Sequence, residues 1–116
     1  LKWEKKINMV STNMLISGDK IYVVGLVTMY CLNTDDGSEI WKYQMSNGPS
    51  DIATLTGNKL IVGTGQDLIC LNASTGALIW SFESQGTSFG FSGATVVGDK
   101  VYASCSDGNV YCFNID

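Results

Sequence analysis

The sequence predicts an all-β fold built from a four-stranded unit repeated along the chain. Three sets of markers carry that prediction. Tryptophans stand at positions 3, 41 and 80, spaced by 38 and 39 residues. Gly-Asp-Lys or Gly-Asn-Lys triplets begin at Gly18, Gly57 and Gly98, spaced by 39 and 41. Cys-Leu-Asn or Cys-Phe-Asn triplets begin at Cys31, Cys70 and Cys112, spaced by 39 and 42. Independent markers thus share one period of about 40, and a repeat of that length made only of short strands is a propeller blade.

Composition agrees. Hydrophobic residues make up 45% and charged residues 16% of 116, enough apolar material for one domain, expected to span residues 1–116. Pro occurs once and Gly 13 times, which suits many tight turns. The net charge of −4 and the lack of a basic stripe make the chain a poor candidate for phosphate-backbone binding, so nucleic acid is not an expected partner. Lys2, Lys5 and Lys6 form a small basic group interrupted by Glu4, read as a solvated edge that discourages unwanted strand pairing. The apolar run near residues 21–26 is too short to span a membrane. Opening on Leu1 rather than Met, the chain reads as a processed or trimmed product.

Each repeat holds strands A to D. In the first, A lies near residues 13–17, B at 20–25, C at 28–33 and D at 39–45. Gly18-Asp19 joins A to B, because Gly supplies the positive φ that a tight hairpin needs. In the second, A lies near 52–56, B at 59–63, C at 67–72 and D at 77–83. The third has A near 93–97, B at 100–105 and C at 109–114. The order is strand D, ABCD, ABCD, ABC, or three blades' worth of four antiparallel strands. Residues 46–50 and 84–88 read as connectors between blades, followed by Phe89 and Phe91, which are expected to pack between neighbouring blades rather than line a channel.

The most informative stretch is C-L-N-A-S-T-G-A-L-I-W, Cys70 to Trp80, which recurs as C-L-N-T-D-D-G-S-E-I-W from Cys31 to Trp41. Its third copy is divided between Cys112-Phe113-Asn114-Ile115-Asp116 and Leu1-Lys2-Trp3. The spacing resembles the tryptophan-docking signature A-x-D-x-x-T-G-x-x-x-W of the PQQ-like β-propeller repeats. Thr75, Gly76 and Trp80 match it, with Cys70 at the Ala position and Asn72 at the Asp position. Cys31, Asn33, Gly37 and Trp41 match in the first repeat, where Asp36 replaces Thr; Trp3, Cys112 and Asn114 belong to the divided copy. Such repeats build quinoprotein dehydrogenases and also non-enzymatic propellers, such as the bacterial outer-membrane assembly lipoprotein. The resemblance implies an extracytoplasmic setting, periplasmic or at the cell surface.

These motif residues read as structural. Gly37 and Gly76 permit the turn and let a ring approach bare backbone; Asn33, Asn72 and Asn114 can cap the turn. Cys31, Cys70 and Cys112 are expected as small buried side chains on separate blades, too far apart to bridge. A link between Cys105 and Cys112 across the B–C hairpin is disfavoured, and C-x6-C without His is a weak zinc signal. The chain has no His, which removes Ser-His-Asp and Cys-His machinery. Asp35, Asp36 and Glu39 lack the spacing of a calcium loop, and Asn72-Ala73-Ser74 falls in the structural turn.

No catalytic, metal or cofactor residue is therefore expected. A quinone enzyme of this family would carry adjacent cysteines and calcium ligands, and the chain has no Cys-Cys pair. The expectation is a non-catalytic scaffold or interaction module with a protein partner. It would close as a homodimeric six-bladed ring or within a longer propeller. A quinoprotein fragment is the alternative, and a carbohydrate-binding propeller the third option.

Overall fold

The computed structural model describes residues 1–7, 14–25, 27–45, 53–83 and 91–116, and of residues 92–93 the backbone alone. Their strands are β1 (Met14–Ser17), β2 (Lys20–Val24), β3 (Thr28–Asn33), β4 (Glu39–Gln44), β5 (Thr54–Thr56), β6 (Lys59–Gly63), β7 (Asp67–Asn72), β8 (Leu78–Glu83), β9 (Phe91–Val97), β10 (Lys100–Cys105) and β11 (Val110–Asn114). They form three antiparallel meanders, ordered β1-β2-β3-β4, β5-β6-β7-β8 and β9-β10-β11. These are propeller blades: the first and second have four strands, and the third has three. No helix among the described residues is long and apolar enough to cross a membrane.

The repeat explains the register. β2 pairs β3 with Tyr22 opposite Cys31, and β6 pairs β7 with Ile61 opposite Cys70. Cys31 faces Trp41 on β4, and Cys70 faces Trp80 on β8. Both outer ladders shift by one residue just past that pair, between Cys31 and Leu32 and between Cys70 and Leu71. A bulge there strengthens the twist and swings the turn toward the neighbouring blade. Gly18, Gly57 and Gly98 sit at φ of 60°, 57° and 62° in the A–B turns.

Each sheet packs its two faces differently, because alternate residues point to opposite sides. The first sheet's forward face, including Tyr22, Val24, Met29, Cys31 and Trp41, meets Leu60, Val62, Ile69 and Leu71 of the second. The second sheet's forward face, including Ile61, Leu68, Cys70 and Trp80, meets Phe91, Val101, Ala103 and Tyr111 of the third. The core is therefore two layers between blades. Phe91 is fully buried there, against Phe82 and Tyr111, so it packs between blades as expected. Phe89 and the connectors 46–50 and 84–88 lie outside the described residues.

Residues 1–7, the leading strand D of the sequence reading, carry no ladder within the chain. A D strand pairs with the free edge of a C strand, and the C strand that lacks one is β11, on the third sheet. Residues 1–7 lie instead against the first sheet, where Trp3 reaches Gly37 and Thr34.

Candidate functional site: the turns that receive the tryptophans

In the first two turns the backbone is locked by the turn's own Asn. Asn33 Oδ1 accepts from Asp35 N at 2.8 Å, and Asn72 Oδ1 accepts from Ser74 N at 2.9 Å and Thr75 N at 3.1 Å. Gly37 N donates to Asn33 O at 2.9 Å and Gly76 N to Asn72 O at 2.7 Å, closing the loop with φ of 73° and 77° at the glycines. Thr75 Oγ1 accepts from Ala77 N at 3.3 Å. In the first turn Asp36 takes that place, accepting from Ser38 N at 2.9 Å and Ser38 Oγ at 2.7 Å. Those bonds, the side-chain one first, hold the Asp36 carboxyl below its ordinary range. Asn114 has a different partner: its Oδ1 accepts from Lys100 Nζ.

The residue that follows each motif Asn is the junction. Its N–H is held by the neighbouring A–B turn: Thr34 N donates to Asp19 O at 3.0 Å, Ala73 N to Asn58 O at 2.8 Å and Ile115 N to Asp99 O at 2.9 Å. Its carbonyl then points at an incoming indole. Trp3 Nε1 donates to Thr34 O at 3.0 Å, Trp41 Nε1 to Ala73 O at 2.9 Å and Trp80 Nε1 to Ile115 O at 2.9 Å. The ring lies over the turn glycine: a methyl built on Gly76 would sit 2.6 Å from Trp41 Cδ2, and one on Gly37 2.7 Å from Trp3 Cζ3. Ala73 O takes a second donor, the Tyr22 hydroxyl at 3.2 Å. Burying such a ring removes on the order of 200 Å² from water, worth roughly 5 kcal/mol as an upper bound.

The structure thus brings Trp41 to Gly76 and Ala73 of the next blade, Trp3 to Gly37 and Thr34, and Trp80 to Ile115, which follows Asn114. The sequence reading missed the acceptor. Thr34, Ala73 and Ile115 share no side-chain chemistry because only their backbone groups are used. It also missed Tyr22, whose hydroxyl burial drives further from ionisation.

The cysteines divide. All four thiols are free. Cys31 and Cys70 are fully buried opposite the tryptophans, and burial pushes both thiols up to about 11. Cys112, expected to be buried in the same way, is exposed. Among the described residues no sheet covers the forward face of β11, whereas the equivalent faces of β3 and β7 are each covered by the next blade.

Each of the three indoles is committed to a backbone carbonyl. Among the described residues no group of three His, Cys, Asp or Glu side chains could hold a metal ion.

Repeated four-stranded blades joined by indole-to-turn contacts define a PQQ-like β-propeller. The family model described as outer membrane protein assembly factor BamB matches residues 25–116, and the chain belongs to that family. No curated protein matches the chain. Among solved structures, BamB from Moraxella catarrhalis superimposes with a TM-score of 0.81 at 22% identity, covering 98% of this chain and 40% of that one. A europium-containing methanol dehydrogenase gives 0.75 at 20% identity, over 88% of this chain and 22% of that one. A computationally designed protein, Ika4, gives 0.71 at 13% identity, over 89% of this chain and 64% of that one. The chain therefore spans less than half the length of the natural propellers it resembles, and at these identities the likeness shows the fold alone.

Proposed function

We propose that the chain is a non-catalytic propeller scaffold of the extracytoplasmic space. It completes its ring with a second copy and presents the ring's faces and rim to protein partners. One observation carries this reading. Among the described residues two apolar sheet faces carry exposed side chains, and they are the two kinds of face that the blades pair with one another. On the third sheet Val97, Tyr102 and Val110 are exposed; on the first, Met14 and Ile16 are. The first set lies on a forward face and the second on a backward face, the pairing used between sheets one and two and between two and three. Head-to-tail association of two three-blade chains closes six blades with two-fold symmetry and leaves neither face open. The family's printed description, an outer membrane protein assembly factor, supports the setting and the protein partner.

Light scattering tests it. The expected mass is that of two chains, against 12.5 kDa for one. A stable 12.5 kDa monomer overturns the ring and favours completion by further blades of a longer protein. Addition of pyrroloquinoline quinone with calcium is expected to give no saturable absorbance change; saturable binding with dye reduction would favour the dehydrogenase reading.

A further inference from the structure

We propose that Tyr102, Val110 and Cys112 of one chain seat on the first blade of a second copy, whose residues 1–7 run along β11 as the fourth strand of the third sheet. The proposal rests on the ring reading above and gives it a seat, an acceptor atom and a register.

The seat follows from equivalence. Tyr22, Cys31 and Met29 occupy one set of positions in the first blade and are 4%, 0% and 0% exposed. Ile61, Cys70 and Leu68 occupy them in the second, at 1%, 0% and 0%. In the third blade the same positions hold Tyr102, Cys112 and Val110; Tyr102 is 42% and Val110 75% exposed, and Cys112 is exposed as well. Tyr102 opposes Cys112 just as Tyr22 opposes Cys31. The third blade thus carries the interface positions of the other two with nothing seated on them among the described residues.

The acceptor follows from the turn. Ala73 O receives both the Trp41 indole and the Tyr22 hydroxyl. Thr34 O, held in the same way by its A–B turn, receives the Trp3 indole. A carbonyl has two lone pairs. Tyr102, at the position of Tyr22, brings its hydroxyl to Thr34 O of the second copy.

The register follows from the ladders. Met29 opposes Tyr43 and Leu68 opposes Phe82, two residues from the Cys–Trp pairs. The same spacing sets Cys112 against Trp3 and Val110 against Lys5. Trp3 already lies on the first blade as Trp41 lies on the second, so residues 1–7 occupy the line of a preceding D strand. Between them and the first sheet is a cavity of about 220 Å³, lined by Trp3, Lys5, Ile7, Met14, Ile21 and Val23. Its apolar wall suits the side chains of Tyr102, Val110 and Cys112 arriving from β10 and β11.

Directly opposed residues of an antiparallel pair have Cα atoms about 4.5–5.5 Å apart, within disulfide reach. The test mixes a Lys5→Cys chain with a Val110→Cys chain, both carrying Cys112→Ala, under mild oxidation. Lys5 and Val110 are exposed, so both chains keep the fold. The expected product is a covalent dimer of unlike chains, mapped by peptide analysis to positions 5 and 110 and absent from either chain alone. Tyr102→Phe, which keeps the ring and removes the hydroxyl, is expected to raise the dimer dissociation constant roughly thirtyfold, because the closed ring loses one hydrogen bond at each of its two contacts. A two-chain mass with no link, or with a link at another pair, overturns the strand assignment while the ring stands. A one-chain mass overturns both.

Discussion

At the residue scale, the turn glycines are not alike, and the difference is measurable. Gly57 has φ of 57° with nothing near the place a methyl would take, so Gly57→Ala costs only the left-handed conformation, about 1 kcal/mol. Gly76 has φ of 77° and Trp41 Cδ2 at 2.6 Å from that place. Gly76→Ala must pay the same backbone cost and also lift the indole off the turn, stripping Ala73 O of its 2.9 Å donor. A loss of about 3–4 kcal/mol is expected, combining the backbone cost with partial loss of a buried ring. Urea unfolding of the two variants side by side checks this. Equal midpoints would show that Trp41 contributes little to the junction. Asn72 and Gly76 were legible in the sequence because their side chains, or the lack of one, are what the turn uses. The carbonyl of Ala73 was not, since a backbone acceptor leaves no mark on residue identity.

At the scale of elements, the internal strand pairs were legible almost to the residue, as with β3 at Thr28–Asn33 and β6 at Lys59–Gly63. Three copies of each turn signal fixed the boundaries that a single copy would have left open. What repetition hides is where one copy departs from the others. On the outer ladder of the second blade Asp67 lies directly opposite Glu83, where the first blade has Thr28 opposite Gln44. Burial, and then the Glu83 carboxylate, raise the Asp67 carboxyl above its ordinary 3.8. The folded chain therefore holds that proton more tightly than the unfolded one. The associated stability is fully present below about pH 3.8 and is lost as pH rises through the raised value. At neutral pH the two charges oppose each other across the ladder. Asp67→Asn keeps the shape, and the backbone bond from Thr64 N to Asp67 O at 2.7 Å is untouched. The variant is expected to unfold at a higher denaturant concentration than the parent at pH 7 and at the same concentration at pH 3. A gain that persists at pH 3 would place its origin in something other than charge.

At the scale of the whole molecule, burial of a motif position depends on whether another blade lies in front of it, which the local sequence does not record. Cys31, Cys70 and Cys112 follow one pattern in the sequence, yet only Cys112 is exposed. That difference turns the thiols into a gauge of assembly. The thiolate is the reactive form, and Cys31 and Cys70 are fully buried with burial raising them to about 11, so alkylating reagents have neither access nor thiolate there. Cys105 is buried as well. In dilute native protein a single thiol, Cys112, is expected to react with iodoacetamide, the other three reacting only after denaturation. If the forward face of the third blade is what a second copy covers, the rate at Cys112 must fall as protein concentration rises. It should do so with the same midpoint that light scattering gives for the two-chain mass, because one association event removes both the open face and the monomer. A Cys112 rate that stays constant while the mass doubles would put the contact between copies on another surface, and the apolar face of Val97, Tyr102 and Val110 would then have to be covered by a different blade.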